Sequence, residues 1–139
     1  MVFESQAMQI SFLIGRILYG GLLAFMGLNH FMDLENMTEH AKANNVVLPG
    51  LSVLASGILL VLGGLSIAFG SYTFIGSILL ALFFVLVTPK MHNFWSYEGE
   101  DRHQQMIHFF KNVLALGAAL AFLSISSISW PMALGAFLG

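Results

Sequence analysis

Four long apolar runs, separated by short polar segments, dominate the hydrophobic pattern of the chain. The runs cover residues 10–32, 51–69, 72–88 and 106–128. Each is close to the length of about 20 apolar residues that an α-helix needs to span a bilayer. The pattern therefore predicts an all-α fold, a four-helix transmembrane bundle, in a multi-pass protein of the cell membrane.

Short connections between the runs predict that helices consecutive in sequence pack as neighbours. Only Gly70 and Ser71 separate the second run from the third, which indicates a tight turn between antiparallel helices. Pro89 follows the third run and is expected to end or kink that helix, because proline has no amide hydrogen to donate. The polar residues 96–104 are interpreted as a water-exposed connector to the fourth helix.

The connection between the first two runs has a helical pattern of its own. Leu34, Met37 and Ala41 recur at helical spacing, and Asp33 is placed to cap the segment. The opposite side is charged. This pattern favours a short interfacial helix between the first two spans, with a plain connector as the alternative.

The composition agrees with a membrane protein and excludes other classes. Hydrophobic residues make up 58% of the 139 residues and charged residues 9%, whereas a soluble domain carries about 25% charged residues. The lipid bilayer is therefore a predicted partner, and the length fits a single domain over residues 1–139. A net charge of −2 argues against nucleic acid, and the lack of cysteine excludes disulfides and thiolate metal sites.

The distribution of basic residues suggests an orientation. Four of the five lie near the first and third connections: Lys42, Lys90, Arg102 and Lys111. By the positive-inside rule, these connections are expected in the cytoplasm and both termini outside.

Arg16 lies inside the first predicted span, where a charged side chain is costly. It shares a helical face with Gly20, Gly27 and His30, which favours a position in the bundle interior. The alternative is that its side chain extends to the headgroups of the lipids.

A cluster of polar side chains is predicted at a single membrane level, on the side of the first and third connections. It combines the end of the first span, the end of the third and the start of the fourth: Asn29, His30, His92, Asn93, His108, Lys111 and Asn112.

Three interpretations of this cluster stay open. The histidines are common interface residues, as Trp95 is. Alternatively, His30, His92 and His108 ligate a metal such as zinc, copper or iron, or two of them ligate haem. Finally, the cluster binds a polar headgroup such as that of a quinone, with donors for its carbonyl oxygens and Trp95 stacked on its ring.

Several segments together resemble the DoxX-like family of small four-helix membrane proteins. They are "GRILYGGLLAFMGLNHFMD", "LPG" followed by "LLVLGGLSIAFG", "MHNFW" and "QQMIHFFKN". The resemblance implies a four-helix membrane bundle linked to oxidoreductase systems, such as a terminal oxidase or thiosulfate:quinone oxidoreductase. The positions that match the family's motifs are Arg16, Asn29, His30, His92, Asn93, Trp95, His108, Lys111 and Asn112, together with the paired glycines Gly63 and Gly64.

One departure from the family pattern bears on function. Many relatives place a glutamate where this chain has Leu60. This chain therefore lacks the buried acid that proton-coupled chemistry would use at that position. The main hypothesis is a quinone-linked subunit of a membrane oxidoreductase, with a redox partner subunit. The alternatives are a non-catalytic scaffold, as a partner subunit or homo-oligomer, and a transporter of lipids or small molecules.

Overall fold

Each of the four apolar runs forms an α-helix in a computed structural model of the chain, which describes residues 3–134. The long helices are α1 (Gln6–Met32), α3 (Pro49–Phe69), α4 (Thr73–Met91) and α5 (Gly99–Ser124), and the short α2 (Leu34–Ala43) lies between the first two. A 3-10 helix, Phe94–Ser96, connects α4 to α5. Four apolar segments of the described chain are long enough to cross a membrane. The predicted all-α membrane bundle is confirmed.

Local sequence signals explain three of the helix ends. The Ser5 hydroxyl accepts a hydrogen bond from the Met8 amide at 3.1 Å and caps α1. Pro49 occupies the first turn of α3, where its missing amide hydrogen costs nothing. Gly70 ends α3 with a φ of 71°, a left-handed conformation that glycine adopts without strain. The predicted tight turn between α3 and α4 is therefore present.

The predicted ends around the third connection were wrong. α4 continues through Pro89 to Met91, because a proline in the last turn forfeits only one hydrogen bond and its ring is exposed. α5 begins at Gly99, well before residue 106, so six of the nine residues of the predicted connector, 99–104, belong to this helix. Glu100 and Asp101 in its first turn favour this start through the helix dipole.

Two other helix ends also differ from the prediction. α1 begins at Gln6 rather than at residue 10, because the cap lies at Ser5. α5 ends at Ser124, and the apolar residues that follow it form turns. Hydropathy detects apolar residues, which do not have to be helical.

α2 has the predicted amphipathic character. Ala41 is buried, and Leu34 and Met37 are partly buried, and the helix packs against α3 and α1. Asp33 does not cap the backbone of α2. Its carboxylate accepts a hydrogen bond from the Asn36 side chain at 2.8 Å instead.

α1 and α3 pack closely through glycines that face each other. A Cβ at Gly20 would overlap the Gly64 carbonyl oxygen, and a Cβ at Gly27 would lie 2.8 Å from the Gly57 carbonyl oxygen. Such contacts let two backbones approach in a bilayer, where van der Waals packing drives helix association. Gly57 and Gly64 of α3 therefore serve the packing against α1, and α3 also packs on α4, which packs on α5.

The bundle closes through contacts between α1 and α5. Tyr19 of α1 donates a hydrogen bond from its hydroxyl to the Ala115 carbonyl oxygen of α5 at 2.6 Å. Phe12 and Phe122 pack beside it with ring centroids 6.0 Å apart. Large hydrophobic side chains are exposed on the outer faces of all four long helices. This surface contacts lipid, and the protein is a multi-pass membrane protein.

The Tyr19 hydrogen bond predicts a measurable contribution to stability. Tyr19→Phe removes the hydroxyl and keeps the ring, so we expect a loss of about 1 kcal/mol in the free energy of unfolding. Thermal unfolding of the purified protein in detergent measures it. Tyr72→Phe is the matched control, because Tyr72 is exposed and its hydroxyl has no described partner. Equal unfolding temperatures for the two variants would contradict the prediction.

Candidate functional site

A cavity of about 710 Å³ lies at the end of the bundle where α2 packs against it. All five α-helices contribute to its lining. Its deeper wall is apolar and includes Met26, Leu59, Leu60, Phe83 and Val87. A volume in this range is typical of sites for small molecules.

Polar side chains from the last turns of α1, α2 and α4, from the residue after α4 and from the middle of α5 line the cavity. They include four histidines, two lysines and an asparagine: His30, His40, His92, His108, Lys90, Lys111 and Asn112. Most residues of the predicted polar level therefore line one cavity. Five predicted site residues are among them, namely His30, His92, His108, Lys111 and Asn112.

Two histidines pack against each other among these polar side chains. The rings of His92 and His108 are stacked, with centroids 5.1 Å apart and an interplanar angle of 29°. His92 follows the last residue of α4, and its Nδ1 lies 2.9 Å from the Gln105 Oε1 of α5. Gln105 and His108 are three residues apart on α5, so one helix face holds both partners of His92.

His30 is held from the other side of the cavity. Its Nδ1 lies 2.9 Å from the Met26 carbonyl oxygen, one turn earlier in α1. Its ring also meets Phe83 of α4 edge to face, with centroids 6.2 Å apart. The ring is therefore fixed at one nitrogen, and the other nitrogen, Nε2, has no described partner.

Asn112 is the most buried polar side chain of the cavity. It is 8% exposed and lines the cavity, and no described residue forms a hydrogen bond with its amide. Its amide atoms are not among the fully buried, unpaired side-chain atoms of the described residues, so they are open to the cavity. An amide in this position can form hydrogen bonds with a molecule in the cavity.

Sequence reasoning missed six polar residues of the cavity: Asp33, Asn36, His40, Ser52, Ser56 and Lys90. His40 comes from α2, three residues after Met37 and next to the apolar face of that helix, and this spacing was the available signal. Ser52 and Ser56 of α3 also line the cavity. Their hydroxyls donate to carbonyl oxygens of Val47 and Val53, at 2.6 and 2.9 Å.

Three other predicted residues lie near this end of the bundle but do not line the cavity. Asn29 is partly buried on α1. The Asn93 amide donates to the Ser96 hydroxyl at 3.3 Å, and its buried oxygen has no partner. Trp95 is 55% exposed and packs on Phe94 rather than over the cavity.

Arg16 lies at the opposite end of the bundle from the cavity. Its guanidinium donates to the carbonyl oxygens of Ala68, Pro131 and Met132, at 3.3, 2.6 and 2.5 Å. The rings of Phe12 and Trp130 pack against it, with centroids 5.7 and 5.9 Å from the guanidinium carbon. With 1% of its surface exposed, Arg16 faces the bundle interior rather than the headgroups.

The histidines of the cavity do not form a metal site in this structure. Among residues 3–134, no group of three or more His, Asp or Glu side chains is placed to hold a metal ion. His92 and His108 stack face to face, whereas metal ligands point their nitrogens at a common centre. Leu60, the position of the relatives' glutamate, is fully buried in the cavity wall.

Comparison with known proteins identifies the family. The DoxX family model matches residues 11–93, more than half of the chain. No curated protein and no solved structure matched. The matched residues reach from α1 to the end of α4 and include His30, His40 and His92, whereas α5 with His108 and Asn112 lies beyond them. The chain belongs to the DoxX family of membrane proteins.

Proposed function

We propose that this protein binds a quinone in the cavity and serves as a subunit of a membrane oxidoreductase. A quinone joins a polar ring to an apolar tail, and the cavity has polar side chains and an apolar wall that suit these two parts. The observation that carries the proposal is Asn112, which lines a largely apolar cavity and whose amide has no described hydrogen-bond partner. The family resemblance to oxidoreductase components supports the same interpretation.

The cavity has a route for the tail of such a ligand. Met26, Ala55 and Leu86 line the cavity and are exposed side chains of the spanning helices, and we infer that they open the cavity toward the bilayer. A membrane-soluble ligand therefore has an apolar path between the bilayer and the cavity. The polar ring would sit between His30 on one side and the stacked His92 and His108 on the other.

In the oxidoreductase, this protein would be the subunit that binds the quinone. Asn112 and Lys111 supply hydrogen-bond donors for carbonyl oxygens, and the imidazoles supply further hydrogen-bonding nitrogens. Electrons would come from, or go to, a cofactor of a partner subunit. The protein's own contribution is to hold and orient the ring.

Asn112→Leu tests the proposal directly. We expect it to weaken binding of a short-tailed benzoquinone or naphthoquinone about tenfold or more, since the variant removes the buried hydrogen-bonding group and keeps the volume. The measurement is the ligand-induced rise in unfolding temperature of the purified protein across a concentration series, which yields a dissociation constant.

Gln104→Leu is the matched control. It replaces an exposed amide with leucine on the same helix, outside the cavity, so quinone binding should stay unchanged. If no quinone shifts the unfolding temperature of the unmodified protein, the proposal is wrong and a scaffold function becomes the better hypothesis. Equal weakening by Asn112→Leu and Gln104→Leu would show that binding occurs elsewhere.

A further inference from the structure

The hydrogen bonds of two cavity histidines determine which ring nitrogen carries the proton. A backbone carbonyl oxygen can only accept, so the Nδ1 of His30 must donate to the Met26 oxygen at 2.9 Å. The Nδ1 of His92 likewise donates to the Gln105 Oε1 at 2.9 Å. In both rings the hydrogen is therefore on Nδ1.

The second nitrogen of each ring is consequently an acceptor. A neutral imidazole carries one hydrogen, so Nε2 keeps a lone pair when Nδ1 donates. Neither Nε2 has a described partner, and both rings line the cavity. The histidine side chains thus offer a ligand two acceptors, one from α1 and one from the end of α4.

The oxidised and reduced forms of a quinone differ in the way they meet such acceptors. The carbonyl oxygens of the oxidised ring can only accept, and each would place a lone pair against the lone pair of Nε2. The hydroxyls of the reduced ring donate, and each can form a hydrogen bond with Nε2. The Asn112 amide accommodates either form, because it both donates and accepts.

We infer that the cavity binds the hydroquinone form of its ligand in preference to the oxidised quinone, through the Nε2 atoms of His30 and His92. The inference rests on the proposed function and specifies the redox state of the bound ligand. It concerns binding and orientation of the reduced ring only. The ligand class is an aromatic ring with two hydroxyl groups and an apolar tail.

Three forms of one short-tailed ring test the inference: the hydroquinone, the quinone and the dimethyl ether of the hydroquinone. The ether keeps the aromatic ring and loses both hydrogen-bond donors. Binding is measured by thermal shift without oxygen and at pH 8, where an ordinary imidazole is neutral. We expect the hydroquinone to bind about tenfold tighter than either the quinone or the ether.

Two phenylalanine variants identify the acceptors. His92→Phe and His30→Phe keep an aromatic ring in each position and remove Nε2, so each should lower the preference for hydroquinone severalfold while the affinity for quinone stays within about twofold. His103→Phe is the control, because His103 is exposed on α5 and does not line the cavity. If a variant does not fold, the comparison of the three ligands in the unmodified protein still decides.

The outcomes separate this inference from the proposed function. Equal or tighter binding of the quinone would overturn the preference for the reduced form while leaving quinone binding in place. Tight binding of the ether would show that the hydroxyls are not used as donors, and would also overturn it. Absence of binding by every form would overturn the proposed function and this inference together.

Discussion

Gly64→Ala should destabilise the bundle by about 3 kcal/mol or more, a large effect for the addition of one methyl group. A Cβ at this position would lie 2.6 Å from the Ala24 backbone nitrogen and even closer to the Gly20 carbonyl oxygen. These neighbours are backbone atoms, which cannot rotate away as the end of a side chain can. α1 and α3 would have to separate, and the contacts on either side of Gly64 would be lost. Thermal unfolding in detergent, followed by circular dichroism, measures the loss.

Gly21→Ala is the matched control for Gly64→Ala. It makes the same change in a membrane-spanning helix, but a Cβ at Gly21 would have no heavy atom of another group within 4 Å. Alanine also favours a helix over glycine by up to about 1 kcal/mol. We therefore expect an unfolding temperature that is unchanged or slightly higher. If Gly64→Ala were as stable as Gly21→Ala, the close packing of α1 on α3 would be refuted.

Most of the fold could be predicted from the sequence, because hydropathy and short connections leave few arrangements. The turn at Gly70 could also be predicted, because glycine adopts a left-handed φ more easily than other residues. The ends of α4 and α5 could not be predicted in this way. The first turns of α5 are polar and are stabilised by the acidic residues of the first turn. A hydropathy pattern detects only the apolar part of such a helix.

The sequence predicted the depth of the candidate site residues along the bundle, but not the direction in which each side chain points. Position along the helices correctly placed His30, His92 and His108 at the same end of the bundle. The direction of each side chain about its helix axis depends on packing, which is why Trp95 was assigned to a site that it does not line. His40 lines the cavity because α2 packs against α3 and α1, and the spacing from Met37 indicated only the helix face on which His40 lies.

Arg16→Met should detach the segment that follows α5 and lower the free energy of unfolding by about 3–5 kcal/mol. The Arg16 guanidinium supplies donors to the carbonyl oxygens of Ala68, Pro131 and Met132, and each buried acceptor left unpaired costs about 1–3 kcal/mol. Methionine fills similar space but has no hydrogen to donate. Thermal unfolding measures the loss of stability, and the fluorescence of Trp130 reports on the segment, because this ring is only 7% exposed.

Trp95→Phe provides the background for the fluorescence measurement, because it leaves Trp130 as the sole tryptophan of the chain. In that background, Arg16→Met should shift the emission to longer wavelength as Trp130 meets water. Arg102→Met is the matched control, because Arg102 is exposed and the one contact described for its guanidinium is the Phe94 ring, so it should cost less than about 1 kcal/mol. The loss of stability in Arg16→Lys should lie between those of Arg16→Met and Arg102→Met. A single ammonium group keeps the charge but cannot reproduce the planar guanidinium that donates to three carbonyl oxygens. Unchanged Trp130 emission and stability in Arg16→Met would show that the segment is held by its apolar contacts alone.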